Sequence, residues 1–571
     1  MPTIEYFDTF APFGSLGGPG DPWVIGVGAD PLALQAHLGQ DLLLIAYPWT
    51  EGEEGSPDLD MFPPFGALPD GWLDGESERT ALYVAATRGR STDNDDEPPA
   101  QYVPGRLTPI NFGTRLFDGV DPLARGGFNV GVITLIDPEG LFNSLIGYSW
   151  DNVPLVIKRG PRNTPFVDWP VVARFRSAGL LRDMDAKTIQ LRDVGWQLAG
   201  PLHSETYLGT GDIEGDVALT GRIKPWALGH CFNIEPVLLS ASDQIFQWSL
   251  SSSEELVAMR HGGVDFPIDA DYPDYASLAA AVIPGGECAT CLALSLVRPN
   301  VTLEFGIRVD VIGDADVVNG HGTPTTREAI IRRVATHRGA SLLDEFSELD
   351  QSSFQRMNAY HSAPVGWYFN SDITKQAAID LMLRGVLGWS IFTPDGRLRL
   401  GWLAAPEEQT ATLNLVGAVD DIGKPRLIAT STPRRGTRIS WQWNYGPQPD
   451  RSSLAGGVSD EDALLYGQQA QFAPSLSPQL ATLYPTANLV TIDQAGFRDE
   501  ADAVLEATRQ QAIFSVVRNR YERQLQIDPF VDVIGVTFNV SNDPLNAPQL
   551  QICVGINATG TSSVSTFEFF S

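Results

Sequence analysis

The chain predicts a β-rich α+β fold built from several domains, and three observations predict it: length, turn density and one self-contained helix-and-hairpin unit. At 571 residues it is too long for a single core, and at about 150 residues per domain roughly four are expected. Its 55 Gly and 41 Pro are spread without a period, which points to many turns between short strands. The unit is Trp367 to Leu403. Ser371 and Asp372 open a helical pattern in which Ile373, Ala377, Ala378, Leu381 and Met382 recur on one face. A hairpin follows, with Trp389, Ile391, Leu398, Leu400 and Trp402 alternating on either side of the turn Thr393-Pro394-Asp395-Gly396.

Taken in order, residues 1–80 are rich in Pro, Gly and acids and are expected to be irregular, with Thr92 to Pro99 an exposed loop. A β-rich block over 81–222 holds strand-like runs at Asn129 to Leu135, Leu155 to Lys158 and Thr188 to Leu191. A second β-rich block over 223–320 ends in the run Val301 to Ile312. The helix-plus-hairpin block over 321–410 starts at a capping box, Thr325 to Glu328. Its helix runs through Ile330, Ile331 and Val334 to a basic end at His337 and Arg338. The last block, 411–571, has runs at Arg438 to Trp443, Asp532 to Asn539 and Leu550 to Ile556. It also carries a long helix from about Arg498 to Arg518 with Val504, Leu505, Thr508, Ala512 and Val516 expected on its buried face.

Composition narrows function. No run of about twenty apolar residues is present to span a bilayer, and the N-terminus lacks the basic and apolar regions of a signal peptide, so synthesis in a cytoplasm-like compartment is expected. The sequons at Asn300, Asn539 and Asn557 then carry little meaning. With 39 Lys+Arg against 70 Asp+Glu the net charge is −31. Such a chain repels polyanions, which argues against nucleic-acid binding but suits either a soluble surface or a wall that lets a duplex slide past.

Chemistry-bearing motifs are sparse. Cys288-Ala-Thr-Cys291 has the spacing of a metal or redox pair, and Cys231 and Cys553 complete four thiols, enough for zinc or an iron–sulfur cluster. A second close pair is missing, since Cys231 and Cys553 stand on separate predicted strands, so buried structural thiols are expected and no cofactor. The histidines at 37, 203, 230, 261, 321, 337 and 361 show no i, i+4 metalloprotease spacing and are expected mostly at the surface or in loops. Asp314, Asp316, Asn319 and Gly320 echo a calcium loop without its terminal Glu, and turn chemistry explains them better. Neither Gly-x-Ser-x-Gly nor a P-loop occurs. No catalytic residue is assigned.

A resemblance enters through the order of motifs. Gly131-Val-Ile-Thr-Leu-Ile-Asp-Pro-Glu-Gly140 and Tyr148 to Gly160 come first, then Gly211 to Pro225 and Gly229-His-Cys-Phe-Asn-Ile-Glu-Pro236. Val365-Gly366-Trp367-Tyr368, Gly396 to Leu403, Trp443-Asn444-Tyr445 and the helix from about Asp499 follow. Over about residues 81–571 this order resembles baseplate hub proteins at the tail tip of long-tailed bacteriophages and gene transfer agents. The resemblance implies β-barrel-like hub modules with helix-and-hairpin modules, a homotrimer around the tail axis and a structural rather than catalytic role. Implied partners are the distal tail ring, the end of the tape-measure protein and a receptor-binding fibre, with DNA passing through the lumen without specific binding. In this family Cys288 and Cys291 fall on a strand with no ligand requirement, although a tail-tip component of some long-tailed phages holds an iron–sulfur cluster.

The alternative is a carbohydrate-active or carbohydrate-binding tail component. Thirteen Trp and 27 Phe are enough to line a sugar groove, and a carboxylate pair about 5 to 10 Å apart is what glycoside hydrolysis requires. A non-catalytic sugar module would need exposed indoles such as Trp441 or Trp443.

Overall fold

The computed structural model describes residues 40–47, 49–50 and 82–571, apart from 97, 109, 119–121, 124–127, 130, 162, 193, 340–341, 528–529 and 560–563. Among these the fold is α+β and β-rich, with several separate sheets. Most of the 1–80 segment lies outside the described residues, but Asp41–Ala46 is a buried strand inside the stretch expected to be irregular. The run DLLLIA is apolar on both faces, so it sits between neighbours rather than at a surface.

That strand belongs to a six-stranded antiparallel sheet. The order is Leu82–Ala86, Asp41–Ala46, Pro154–Gly160, Val171–Arg182, Ala186–Arg192 and Val132–Ile136. A five-stranded sheet follows, in the order Val264–Phe266, Ser253–His261, Ile307–Gly313, Trp226–Ile234 and Gly366–Phe369. A second five-stranded sheet takes Val237–Ser240, Ile245–Gln247, Leu296–Pro299, Cys288–Cys291 and Ile268–Asp271. The expected run over Val301 to Ile312 is a strand only from Ile307, because Gly306 and the turn before it interrupt the pattern.

The C-terminal sheet has eight strands, and two of them come from far upstream. Asn111–Arg115 pairs antiparallel with Leu550–Thr559 and carries Phe128–Asn129 on its other side. Arg115 adds an ion pair to Glu568 across the same sheet. One apolar cluster therefore runs from Leu42 and Leu155 in the six-stranded sheet to Phe538, Phe567 and Phe570 in the last one.

The hairpin of the helix-and-hairpin unit forms as read, whereas its helix starts one turn later than the expected Ser371-Asp372, leaving Ile373 before it and Ala377 exposed. Its helix is Lys375–Arg384, capped by the Thr374 hydroxyl on the Ala377 amide at 3.1 Å. Strands Gly388–Phe392 and Leu398–Trp402 pair around a turn in which Gly396 has φ of 87°, and Trp389 and Trp402 are buried. In an earlier helix, Arg327–Thr336, the cap is Thr326 rather than Thr325. Glu328 does not reach back to close a capping box but bonds Arg332 one turn ahead, at 2.8 Å from its Nε.

Two surface expectations are corrected. Thr92 and Asp96 are buried, and Asp96 accepts the Phe166 amide at 2.6 Å, so the acidic loop is pinned rather than simply exposed. His261 is buried on a strand, against the expectation of surface or loop, while His203 and His361 do lie in loops but are buried, each packed against aromatic rings.

Candidate functional site

The quoted motifs meet in space. Gly229 and Gly366 face each other in the ladder between Trp226–Ile234 and Gly366–Phe369. Gly229 has φ of 68°, and a Cβ on Gly366 would collide with the His230 backbone, so only glycine lets these strands approach. Asn233 and Asn444 also meet. The Asn233 Nδ2 donates to the Asn444 Oδ1 at 2.9 Å and to the Gly446 carbonyl at 3.1 Å. The Asn444 Nδ2 in turn donates to the carbonyls of Tyr466 and Gln468, each at 2.9 Å. Both amides are buried, so the pair joins the central sheet to the segment after Trp443 through bonds that water cannot replace.

The second feature is the long helix, Glu500–Phe514, whose orientation is the reverse of the expected one. Val504, Leu505 and Ala512 face outward, with Val516 and Val517 exposed beyond its end and Leu505 70 % exposed. Its buried face carries Ala503, Ala507, Ile513 and Phe514 but also Glu506, Gln510 and Gln511. The donors on and beside this face go to chain carbonyls. Gln510 donates to Gly385 at 2.9 Å, Gln511 to Arg434 at 2.7 Å, and Arg509 to Leu403 at 2.7 Å and Val386 at 2.8 Å. Glu506 accepts from Arg509 Nε at 2.9 Å and Gln510 at 2.7 Å. The carbonyls at turns around the helix-and-hairpin unit need donors more than this face needs more apolar contact, and that demand rotates the helix.

The third feature is a trough of about 520 Å³ on the outer face of the sheet holding Trp226–Ile234, a size ordinary for a small-ligand site. Alternation places Cys231, Leu256, Met259 and Val311 on the inner face, in one apolar cluster, and leaves His230, Phe232, Glu255, Val257, Asp310 and Ile312 on the trough floor. The opposite wall is Trp441, Gln442, Trp443 and Tyr445, and Phe497, Arg498 and Asp499 close one end. A bulge after Ile439 and a positive φ of 45° at Gln442 turn this segment toward the sheet, and the Gln442 amide donates to the Phe497 carbonyl at 2.8 Å.

Asp310 is engaged, accepting the Asn233 amide and Arg260 Nη1, both at 2.8 Å. Burial, and then Arg498, hold the His230 imidazole below its ordinary pKa, against the pull of Asp499. Trp441 and Trp443 were read from sequence as indoles for a sugar module. His230, Gln442 and Glu255 were not singled out for this place, and the usable signal was strand alternation, which sets His230 and Glu255 opposite the buried Cys231 and Leu256.

The thiols do not converge. Three residues apart on an extended strand, Cys288 and Cys291 face opposite ways: Cys288 packs in the cluster with Cys231, and Cys291 in another with Tyr207 and Leu296. Cys553 lies in the large cluster. Burial pushes Cys231 and Cys288 up to about 12 and raises Cys291 and Cys553, which disfavours the thiolate that a metal needs. Among the described residues no group of three His, Cys, Asp or Glu is arranged to hold a metal. The calcium-like residues serve ion pairs instead. Asp314 meets Arg333 at 3.0 Å and accepts from Trp226 Nε1 at 3.2 Å, while Asp316 meets Arg338 at 2.9 Å. No helix among the described residues is long and apolar enough to cross a membrane.

No family model and no curated protein matches the chain. Solved structures do. The 43 kDa tail protein of prophage MuSo2 from Shewanella oneidensis is 8 % identical, over 82 % of this chain and 95 % of that one, with a TM-score of 0.30. A tail protein from Neisseria meningitidis MC58 is 8 % identical over 82 % and 93 %, also at 0.30. A chain of a native gene transfer agent virion is 12 % identical over 61 % and 84 %, at 0.36. The chain is similar to phage tail proteins. At these TM-scores the likeness assigns no residue and no role.

Proposed function

We propose that this chain is a structural virion protein of a phage-type tail tip, a baseplate hub whose copies close a ring around the tail axis. The observation that carries the reading is the rotated helix, which turns Leu505 and its apolar neighbours to solvent while its polar face donates to chain carbonyls inside. Exposed apolar side chains gathered on one face, here Val504, Leu505, Val516 and Val517, suit a place where another protein sits. The order of motifs supports the same reading, since Gly229 with Gly366 and Asn233 with Asn444 are the joints that hold the modules in register. The charge of −31 suits a conduit that passes DNA without holding it.

In this reading the ring is a homotrimer. The distal tail ring and the tape-measure end dock on one side and a fibre on the other, and the work is docking and gating of genome ejection rather than catalysis. The test is the absolute mass of the purified protein by light scattering and native mass spectrometry over a concentration series. A trimer is expected, and it should fall apart in Leu505→Glu. A monomer at every concentration, alone and with its distal tail partner, would remove the hub reading.

A further inference from the structure

We infer that copies of this chain meet head to tail, with the outer face of the helix Glu500–Phe514 of one copy seated on the open face of a three-stranded sheet of the next. The inference rests on the ring reading above and names its contact. The sheet runs in the order Gln471–Leu476, Gly436–Trp441 and Leu489–Phe497. The helix covers one side of it, where Ile439, Ala473 and Ile492 share a cluster with Ala503 and Ala507. The other side is open. There Leu476 and Leu489 flank Gly436, at which a Cβ would meet both side chains. Leu476 is 61 % exposed, and Leu483, on the short helix Pro478–Leu483 that follows, is 70 % exposed.

Charge indicates what covers this face. From Ala463 to Ile492 the chain has no Asp, Glu, Lys, Arg or His, although 19 % of its residues are charged. The three strands together carry one cation, Arg438, which lies over the Phe472 ring at 4.3 Å, and one acid, Asp493. The outer face of the helix is alike. Beyond Glu500, its exposed residues are Ala501, Val504, Leu505, Thr508 and Ala512, all uncharged. A partner rich in Lys and Arg would be drawn to the carboxylates found elsewhere on the molecule. Two copies at −31 each repel instead, and they pack closely only where neither brings charge. These two faces meet that condition.

A closed ring needs two unlike faces on each copy, inclined to one another, because the same patch meeting itself gives a two-fold dimer. The two faces share a rim. At the end of the helix the Arg434 amide donates to the Phe514 carbonyl at 2.8 Å, and one residue on the Ser477 amide donates to the Arg435 carbonyl at 2.8 Å. Val516 and Val517 are exposed on the helix side of this rim, and Leu476 and Leu483 on the sheet side. Faces that meet along a rim make a wedge, and wedges packed face to face close on themselves.

The experiment is native mass spectrometry with light scattering on two full-length variants, under conditions where the parent is a trimer. One is Leu505→Glu, which spoils the helix face. The other combines Leu476→Glu with Leu483→Glu, which spoils the sheet face. Each alone is expected at the mass of one chain. An equimolar mixture is expected to form a species of two chains and none of three, because each variant keeps the face that the other has lost. Circular dichroism and melting profiles check folding, and Leu476→Ser with Leu483→Ser replaces the sheet-face variant if the paired Glu residues unfold it. A folded sheet-face variant that remains a trimer overturns the inference and leaves the ring reading standing. So does a mixture that stays at one chain, which would make the contact helix on helix, and so does a mixture that reaches three. A parent at the mass of one chain under every condition removes the ring reading and this inference with it.

Discussion

His361 is a histidine whose ring is sealed against Tyr360 and Trp402, at centroid distances of 4.8 and 5.3 Å. Its Nε2 is buried and makes no hydrogen bond. Burial first, then Arg509 and Arg327, hold its pKa well below the ordinary value, so the ring is neutral in the folded protein. In the unfolded chain the same group titrates near about 6.5. Below that pH the unfolded state binds a proton that the folded state refuses, so this residue lowers stability on acidification, by up to about 1.4 kcal/mol per pH unit. His361→Phe keeps the aromatic packing and removes the proton. Its stability relative to the parent, from denaturant titrations between about pH 7 and about pH 5, should therefore rise steadily as pH falls. Parallel profiles for the two proteins would show that His361 takes up its proton while folded.

At the scale of the element, the long helix separates what periodicity says from what packing demands. Val504, Leu505, Thr508, Ala512 and Val516 do form a stripe, but that stripe is the exposed one. The pattern contained a competing clue in Glu506, Gln510 and Gln511, which share the opposite face with Ala503, Ala507 and Phe514. Long polar side chains on a small-residue face can reach the carbonyls of neighbouring turns, and here they do. The consequence is an inverted mutational response. Compared at concentrations where the parent is also monomeric, Leu505→Glu should leave the melting temperature within error, because an exposed position away from special features costs little. Gln511→Leu should destabilise by about 1 to 3 kcal/mol, because it orphans the buried Arg434 carbonyl. Calorimetry of both variants checks this, and a large loss in Leu505→Glu with none in Gln511→Leu would contradict the packing described above.

For the whole molecule, the expected blocks 81–222, 223–320, 321–410 and 411–571 remain our proposal for how the chain is divided, but the contacts cross them. Asn111–Arg115 is a strand of the C-terminal sheet, and a single apolar cluster joins Leu42 to Phe570. Arg399 on the hairpin bonds Asp350 at 2.7 Å and also pairs with the half-buried Asp532, tying the helical unit to the last block. A chain ending at residue 410 loses the ladder partner of Asn111–Arg115 and roughly one side of that cluster, so it should lack a cooperative thermal transition and bind a hydrophobic dye. A truncated chain that melts sharply, near the temperature of the full one, would show that the first sheet folds without the last.

The sequence by itself determined the β-rich α+β class, several strand positions and the hairpin with a helix before it. Those rest on local rules: alternation and turn residues such as Gly396 act over a few residues, whereas the helix start at the Thr374 cap was found only in the structure. It also marked Gly229, Asn233, Gly366 and Asn444 as worth quoting, without saying that they touch. Tertiary structure alone decided that these four form two joints, that Asp41–Ala46 is a core strand and that Asn111–Arg115 belongs to a sheet at the far end of the chain. It alone rotated the long helix and gathered His230, Glu255 and Gln442 beside two indoles. The physical reason is the same in each case. Which face of an element is covered depends on the hydrogen-bonding groups and volume of whatever packs against it, and that partner is set by long-range pairing that no local window contains.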